Sequence, residues 1–285
     1  MLDLILNNYK ETEAKRLLFQ FEDFMKHGGL LPSCSIYVHT NLAMEEPPAQ
    51  NLLKAIGSFD FYSYQGSYYI GYHYFRNQYA LLKIDNQFSK INVYYKESGF
   101  ELNHSEMANP IYIAYRYRAL ECDCMMIHAA AIIYEGEGIL FCGASGAGKS
   151  TQANLWRYYL DTEILNYDKP CLIPHNIGWV VHGTPWSGKE GIYKNKYVPL
   201  KAIVFVEKSS HNYAYRLSKS EAFMLLYLNN YIYPLNDETE HKCDSVITNI
   251  VEDVPVYKLQ CDVSKEAVQV LFKEIYGIDW PGEKE

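Results

Sequence analysis

The sequence predicts a mixed α/β protein with a β-rich N-terminal region, and three features carry that expectation. A short β-prone run, Gly138-Ile139-Leu140-Phe141-Cys142, meets a glycine-dense stretch and then a helix-compatible segment from Ser150 to Leu160. Tyrosine-rich and β-branched runs separated by turn formers fill residues 59 to 96. The last third of the chain carries apolar residues at helical spacing. Two regions are expected: residues 1–115, an α+β region built on an antiparallel meander, and residues 116–285, holding the glycine-dense loop.

In chain order, Glu11 to Lys26 reads as a helix with Leu17, Leu18, Phe21, Phe24 and Met25 as its apolar stripe and Gly28-Gly29 as its stop. Ser35 to Val38 reads as a strand. Pro47-Pro48 turns the chain into a short helical piece around Leu52 to Ile56. The meander follows as Phe61–Tyr64, Tyr68–Tyr72, Tyr79–Ile84 and Ile91–Tyr95, with Gln65-Gly66, Arg76-Asn77 and Asp85-Asn86 between. Ile111 to Arg118 fits a helix or a strand. Met125 to Tyr134 is strand material, and Glu135-Gly136-Glu137-Gly138 turns it into the strand before the loop, a hairpin signal. Further strands are expected at Glu163–Asn166, Gly178–His182 and Leu200–Val206. Ser218 with Glu221 forms a capping box for a helix to Tyr231, with Phe223, Met224, Leu226 and Tyr227 inward. Helices from Glu240 to Val251 and Lys265 to Tyr276 close the order, the second with Val268, Leu271, Phe272 and Ile275 buried and Gly277 as its stop. Residues from Trp280 onward read as a loose tail.

At 285 residues the chain can bury one large core or two smaller ones, and 48% hydrophobic against 21% charged residues is ordinary for a globular protein. The formal charge of -8, with Lys and Arg scattered, argues against a nucleic-acid partner. No run is apolar enough for a bilayer, and no basic-then-apolar leader opens the sequence, so a cytoplasmic location and no membrane partner are expected. The 7 cysteines are dispersed, and Cys122-Asp123-Cys124 lacks a second pair at zinc-site spacing.

Gly143-Ala144-Ser145-Gly146-Ala147-Gly148-Lys149-Ser150, followed by Thr151, fills every fixed position of a Walker A phosphate loop (P-loop) in the strand–loop–helix context that motif needs. Glycines let successive backbone N–H groups curl around a phosphate, and the helix N-terminus adds partial positive charge. Lys149 is expected to span the β and γ phosphates of ATP or GTP, and the Ser150 hydroxyl to take a position on Mg²⁺. Transfer also needs a carboxylate, and Asp168, where Ile164-Leu165-Asn166 runs out toward Pro170, is placed to supply it.

His128-Ala129-Ala130-Ala131, the hairpin, residues 143–151 and Asp168-Lys169-Pro170 together resemble the HPr serine kinase/phosphorylase C-terminal domain and its kinase-like relatives near peptide-modification systems. Gly183-Thr184-Pro185-Trp186-Ser187-Gly188, Asn195 and Val198 to Phe205 extend the likeness to that subgroup. It implies an HPr kinase/PEP carboxykinase-like core, oligomers among relatives, and a transferase of kinase type. It also implies His128 near the transferred phosphate and Ser150 with Asp168 on the metal. Where the family carries a first, proton-accepting aspartate this sequence has Tyr167, a poor base at neutral pH. Where the family carries arginine-glycine it has His182-Gly183.

Three outcomes stay open. Asp168 is the base while Ser150 and the phosphates hold Mg²⁺; or His128 or His182 replaces the missing base; or the protein binds nucleotide as a degenerate kinase acting through conformation or assembly. A carboxykinase-like reaction is a further alternative. The acceptor is a hydroxyl of a peptide, a protein or a small molecule. Trp186, Lys189 and Lys194 fit a substrate-side loop, or a turn anchored by a core tryptophan.

Overall fold

The computed structural model describes residues 2–7, 11–27, 29–40, 46–74, 77–95, 104–188 and 191–280. The chain divides into two compact units, Met1–Asp123 with Tyr233–Lys242, and Cys124–Ile232 with Cys243–Glu285. Together they give a mixed α/β protein whose N-terminal part is β-rich. No helix among the described residues is long and apolar enough to cross a membrane.

The first unit is a seven-stranded sheet. Its strands are β1 (Leu2–Asn7), β2 (Cys34–Thr40), β3 (Leu52–Ile56), β4 (Phe59–Tyr64), β5 (Ser67–Tyr74), β6 (Asn77–Asp85) and β7 (Lys90–Tyr95), in the order β1-β2-β7-β6-β5-β4-β3. β3 to β7 form the antiparallel run, while β2 lies parallel to both β7 and β1. The helix expected around Leu52 to Ile56 is instead strand β3, folded back on β4 through Gly57 at φ +58. Pairing with β4 overrides the local preference of a Leu-Leu-Lys-Ala run for helix. Helix α1 (Glu11–Lys26) buries Phe21 and Phe24; Gly28 of its expected stop lies outside the described residues.

Helix α2 (His104–Glu121) settles the segment around Ile111 as helical and is buried on most sides, with Ile111, Ala114, Tyr115 and Ala119 at 0% exposure. Its tyrosines show how an aromatic-rich core stays satisfied. The Tyr115 hydroxyl donates to Pro32 O at 2.8 Å, Tyr117 donates to Tyr233 O at 2.8 Å, and Tyr95 of β7 donates to Met107 O. Each ring adds apolar area while its hydroxyl finds a backbone carbonyl as acceptor inside the fold.

The second unit is a nine-stranded sheet. Its strands are β8 (Met125–Met126), β9 (Ala129–Tyr134), β10 (Glu137–Cys142), β11 (Glu163–Asn166), β12 (Cys171–His175), β13 (Gly178–His182), β14 (Tyr197–Lys208), β15 (Tyr213–Arg216) and β16 (Val256–Cys261). β10 lies between antiparallel β9 and parallel β14, β11 pairs with β9, and β16 runs parallel to β14. The first residues of β14 pair with β13, so this long strand also carries the β13-β12-β8 branch. The β9–β10 hairpin turns on Glu135 and Gly136, both at positive φ, the backbone twist that favours a two-residue turn.

Helices α3 (Lys149–Leu160) and α6 (Lys265–Tyr276) share a core cluster with the sheet, in which Trp156, Ala153, Phe141, Ile132, Val204, Val268 and Leu271 are all at 0% exposure. Gly277 ends α6 at φ +68, as its sequence position predicts. Helix α4 (Lys219–Asn229) starts on the Ser218–Glu221 capping box. It buries Ala222 and Leu226 while Met224, expected inward, is 54% exposed. Two buried positions four apart already fill the stripe that faces the unit, and Met224 falls between them. Helix α5 (Asp237–Asp253) is longer than the segment read from sequence. Trp280, expected in a loose tail, is half-buried against Phe272 and Tyr159; residues 281–285 lie outside the described residues.

Candidate functional site

The loop from Gly143 to Gly148 joins the C-terminal end of β10 to the first turn of α3. Gly143, Gly146 and Gly148 take φ of +137°, +79° and +109°, which L side chains rarely adopt. At Gly143 space adds a second constraint: a Cβ there would lie 2.9 Å from Val206 O and 3.2 Å from Ala147 Cβ. Ala144, Ser145 and Gly146 are exposed, as is Thr151, and Ser150 is half-buried. The N-cap of α3 is Gly148, which has no side chain to accept from the first-turn N–H groups, and no acidic residue sits in that turn. A helix start without its own acceptor is suited to an external anion.

Lys149 is 8% exposed and its Nζ donates to Gly143 O at 2.9 Å and Ala144 O at 3.1 Å. Burial holds its pKa below the ordinary lysine value, with Cys142 and Asp168 opposing that shift and Lys169 adding to it. Cys142 beneath it is a fully buried thiol pushed up to about 12 by desolvation, so it is no nucleophile at neutral pH.

Asp168 follows β11, and one of its oxygens, Oδ1, is shared by His128 Nε2 at 3.3 Å and Lys169 Nζ at 3.2 Å. The backbone sets this meeting: Ala129 N donates to Asp168 O and Ile127 N to Pro170 O, both at 3.0 Å, which pins the extended residues around His128 to the Asp168 segment. Ala129 also pairs with Cys142, so His128 stands beside the residue that leads into the loop. Burial, then the fields of Lys169 and Lys149, push His128 down to about 4, and Asp168 offsets this only in part. The contact is therefore a neutral imidazole against a carboxylate near pH 7, not an ion pair.

Asn166, 0% exposed, fixes the carboxylate from behind. Its Oδ1 accepts from Asp168 N and Lys169 N, each at 2.9 Å, and its Nδ2 donates to Thr184 O at 2.9 Å. Thr184 answers by donating Oγ1 to Lys169 O at 2.6 Å. Tyr167 turns the other way: it is 5% exposed, in the core, with its hydroxyl on Asn154 Oδ1 of α3 at 2.5 Å. A buried phenol tied to a helix cannot reach a substrate, so Asp168 is the carboxylate of this segment.

The segment from Gly183 to Gly188 anchors the same corner. A Cβ on Gly183 would meet Lys194 O at 2.0 Å, and Trp186 is 3% exposed with its backbone N–H donating to Thr184 Oγ1 at 3.3 Å. Gly188, at φ +68, lies over the carboxylate: a Cβ there would be 3.1 Å from Asp168 Cβ and 3.4 Å from Oδ2. His182 is 1% exposed inside the sheet, its Nδ1 donating to Gly183 O at 2.5 Å, and burial lowers its pKa. Lys194 pairs with Glu163, which Lys196 also holds at 3.0 Å. Lys189 lies outside the described residues.

The structure thus gathers His128, Lys149, Asp168 and Lys169 at the mouth of the loop and leaves His182 and Trp186 in the interior. Sequence reasoning misses Asn166 and Asn230, whose Oδ1 accepts from His128 N at 3.1 Å. An asparagine two residues ahead of Asp168 is a readable turn signal; Asn230 has no local signal, being 102 positions from the histidine it holds. No group of three or more His, Cys, Asp or Glu side chains that could hold a metal occurs among the described residues. A Mg²⁺ here would take most of its oxygens from phosphate and water, with Ser150 and Asp168 as the donors the protein can offer, which suits its preference for few protein ligands.

Comparison with curated proteins finds no match. Comparison with family models corrects the resemblance drawn from the sequence. The matching model is not that of the HPr serine kinase/phosphorylase group, and the kinase-family labels attached to that group go with it. Residues 95–272, more than half of the chain and including the loop, Asp168 and Asn230, match the model described as SynChlorMet cassette protein ScmC, and the chain belongs to that family.

Proposed function

We propose that this protein is an ATP-dependent phosphotransferase acting on a hydroxyl of a peptide, a protein or a small metabolite. The reading rests on one observation: a glycine loop opening a helix stands beside a cluster of one carboxylate, one imidazole and two ammonium groups. Phosphoryl transfer needs positioning and charge neutralisation more than covalent chemistry, and these groups supply both. The backbone N–H groups of residues 143–151 would hold the polyphosphate, and Ser150 with the phosphate oxygens and water would hold Mg²⁺, which leaves Asp168 to act as base. ATP or GTP, when bound, supplies the terminal phosphoryl group, which leaves the β-phosphate oxygen as the acceptor oxygen bonds to phosphorus. Asp168 takes the acceptor's hydroxyl proton on Oδ2, because Oδ1 is engaged by His128 and Lys169. Lys149 and Lys169 neutralise charge on the departing side. His128, neutral, orients the carboxylate.

Two observations favour a second reading, nucleotide binding without transfer. Lys149 folds back onto two loop carbonyls, and Tyr167 is buried in the core, which leaves a single acid where efficient transfer calls for both a base and a metal carboxylate. Incubation of the full chain with γ-labelled ATP, Mg²⁺ and candidate acceptors encoded beside it decides between them. Label in an acceptor, lost in Asp168→Asn, supports transfer; tight ATP binding with no label in any acceptor leaves the binding reading.

A further inference from the structure

We propose that Asn230, at the C-terminal end of α4, is a positioning residue for His128; the role rests on the phosphotransfer reading above. In an extended segment successive N–H groups point to opposite sides. Ile127 and Ala129 send theirs to Pro170 O and Asp168 O, so the His128 N–H points away from that segment. The β9–β10 ladder begins only at Ala129 opposite Cys142, so β10 offers no acceptor to His128. Asn230 fills the place of the absent strand. Its side chain is 4% exposed, its Oδ1 accepts from His128 N at 3.1 Å, and its Nδ2 donates to Leu226 O at 3.0 Å. The backbone N–H of Asn230 donates to the same Leu226 O at 3.1 Å. That carbonyl therefore keeps a partner when the side chain is removed, whereas the His128 amide loses its acceptor. The His128 backbone is then held on one side by the Asp168 segment and on the other by a helix end about a hundred residues away, and the second hold keeps the imidazole in place against Asp168 Oδ1.

The test uses the full chain with Asn230→Ala and Asn230→Asp. Asp keeps the acceptor for His128 N–H and loses the donor to Leu226 O; Ala loses both. Two readouts are needed: amide hydrogen exchange at His128, with Ile127 and Ala129 as internal references, and steady-state kinetics. In Asn230→Ala the His128 amide is expected to lose protection while its neighbours keep theirs. In the same variant kcat falls about 10-fold or more with KM for ATP nearly unchanged, because geometry at the reacting centre is lost and not nucleotide binding. Asn230→Asp restores both. Equal losses in the two variants would assign Asn230 to capping α4 and overturn the proposal. So would a His128 amide as protected in Asn230→Ala as in the wild type, or an unchanged kcat. A wild type that turns over no ATP overturns the phosphotransfer reading instead, and the exchange measurement then tests the His128 contact by itself.

Discussion

Replacing Gly143 by alanine tests whether the loop geometry is built into the chain. At φ +137 an L residue lies outside the regions its Cβ allows, a conformation that costs about 1–3 kcal/mol. The added methyl would also sit 2.9 Å from Val206 O, a backbone atom of β14, and must displace it or the loop. Forcing a methyl group into a packed site costs about 1–3 kcal/mol. The two effects are partly alternatives, since a shift that relieves one relaxes the other, so about 3 kcal/mol is expected. For the loop-bearing unit, on the order of 150 residues, that lowers Tm by about 6–12 °C. Gly146→Ala is the control. Gly146 has φ +79, but nothing lies within 4 Å of its Cβ position, so strain without collision costs about 1–2 kcal/mol. Urea unfolding of the three proteins, followed by a probe in the loop-bearing unit such as Trp156 fluorescence, measures the difference. If Gly143→Ala proves as stable as Gly146→Ala, the close packing of the loop on β14 is wrong.

Asp168→Asn keeps the size of the side chain and removes its charge; transfer activity is expected to vanish while stability changes by less than about 1 kcal/mol, because the pairs it breaks are part-exposed. Retained turnover in that variant would refute the assignment of Asp168 as the base. Proton NMR of the histidines should show His128 titrating near pH 4, well below the ordinary value of 6.5. Since the folded state then binds fewer protons than the unfolded chain, this group favours folding fully above about pH 6.5, and that contribution is lost as pH falls toward 4. A midpoint near 6.5 would contradict the burial and the two lysine fields assigned to it, and Asp168→Asn should move the midpoint lower still.

Local chemistry explains which parts of this architecture are legible in the sequence. The Glu135-Gly136 turn, the apolar run of β10, the glycines and the α6 stripe ending at Gly277 each carry their signal within a dozen residues. β12 is obscured because Pro170 and Pro174 bracket and interrupt it, although pairing with β13 accommodates Pro174 opposite Trp179. β3 is obscured because Leu52 to Ala55 suits a helix until β4 supplies a partner. At the site, Lys149 and Ser150 follow from spacing alone, and Asp168 from its place before a proline. The convergence of His128 on Asp168 does not, since it depends on β9 pairing with both β10 and β11. Nor does burial of His182 and Trp186: the imidazole Nδ1 is closed by Gly183 O and the Trp186 backbone N–H by Thr184 Oγ1, which composition does not show.

Titration calorimetry of the full chain with Mg·ATP, beside Lys149→Ala, tests the central claim most directly. The wild type should take up about one nucleotide, as proposed for a single cradle at residues 143–151, and the alanine variant should bind about 10-fold or more weakly for loss of a charged donor. Folded wild-type protein that absorbs neither Mg·ATP nor Mg·GTP, or a Lys149→Ala variant that binds as the wild type does, would contradict the account.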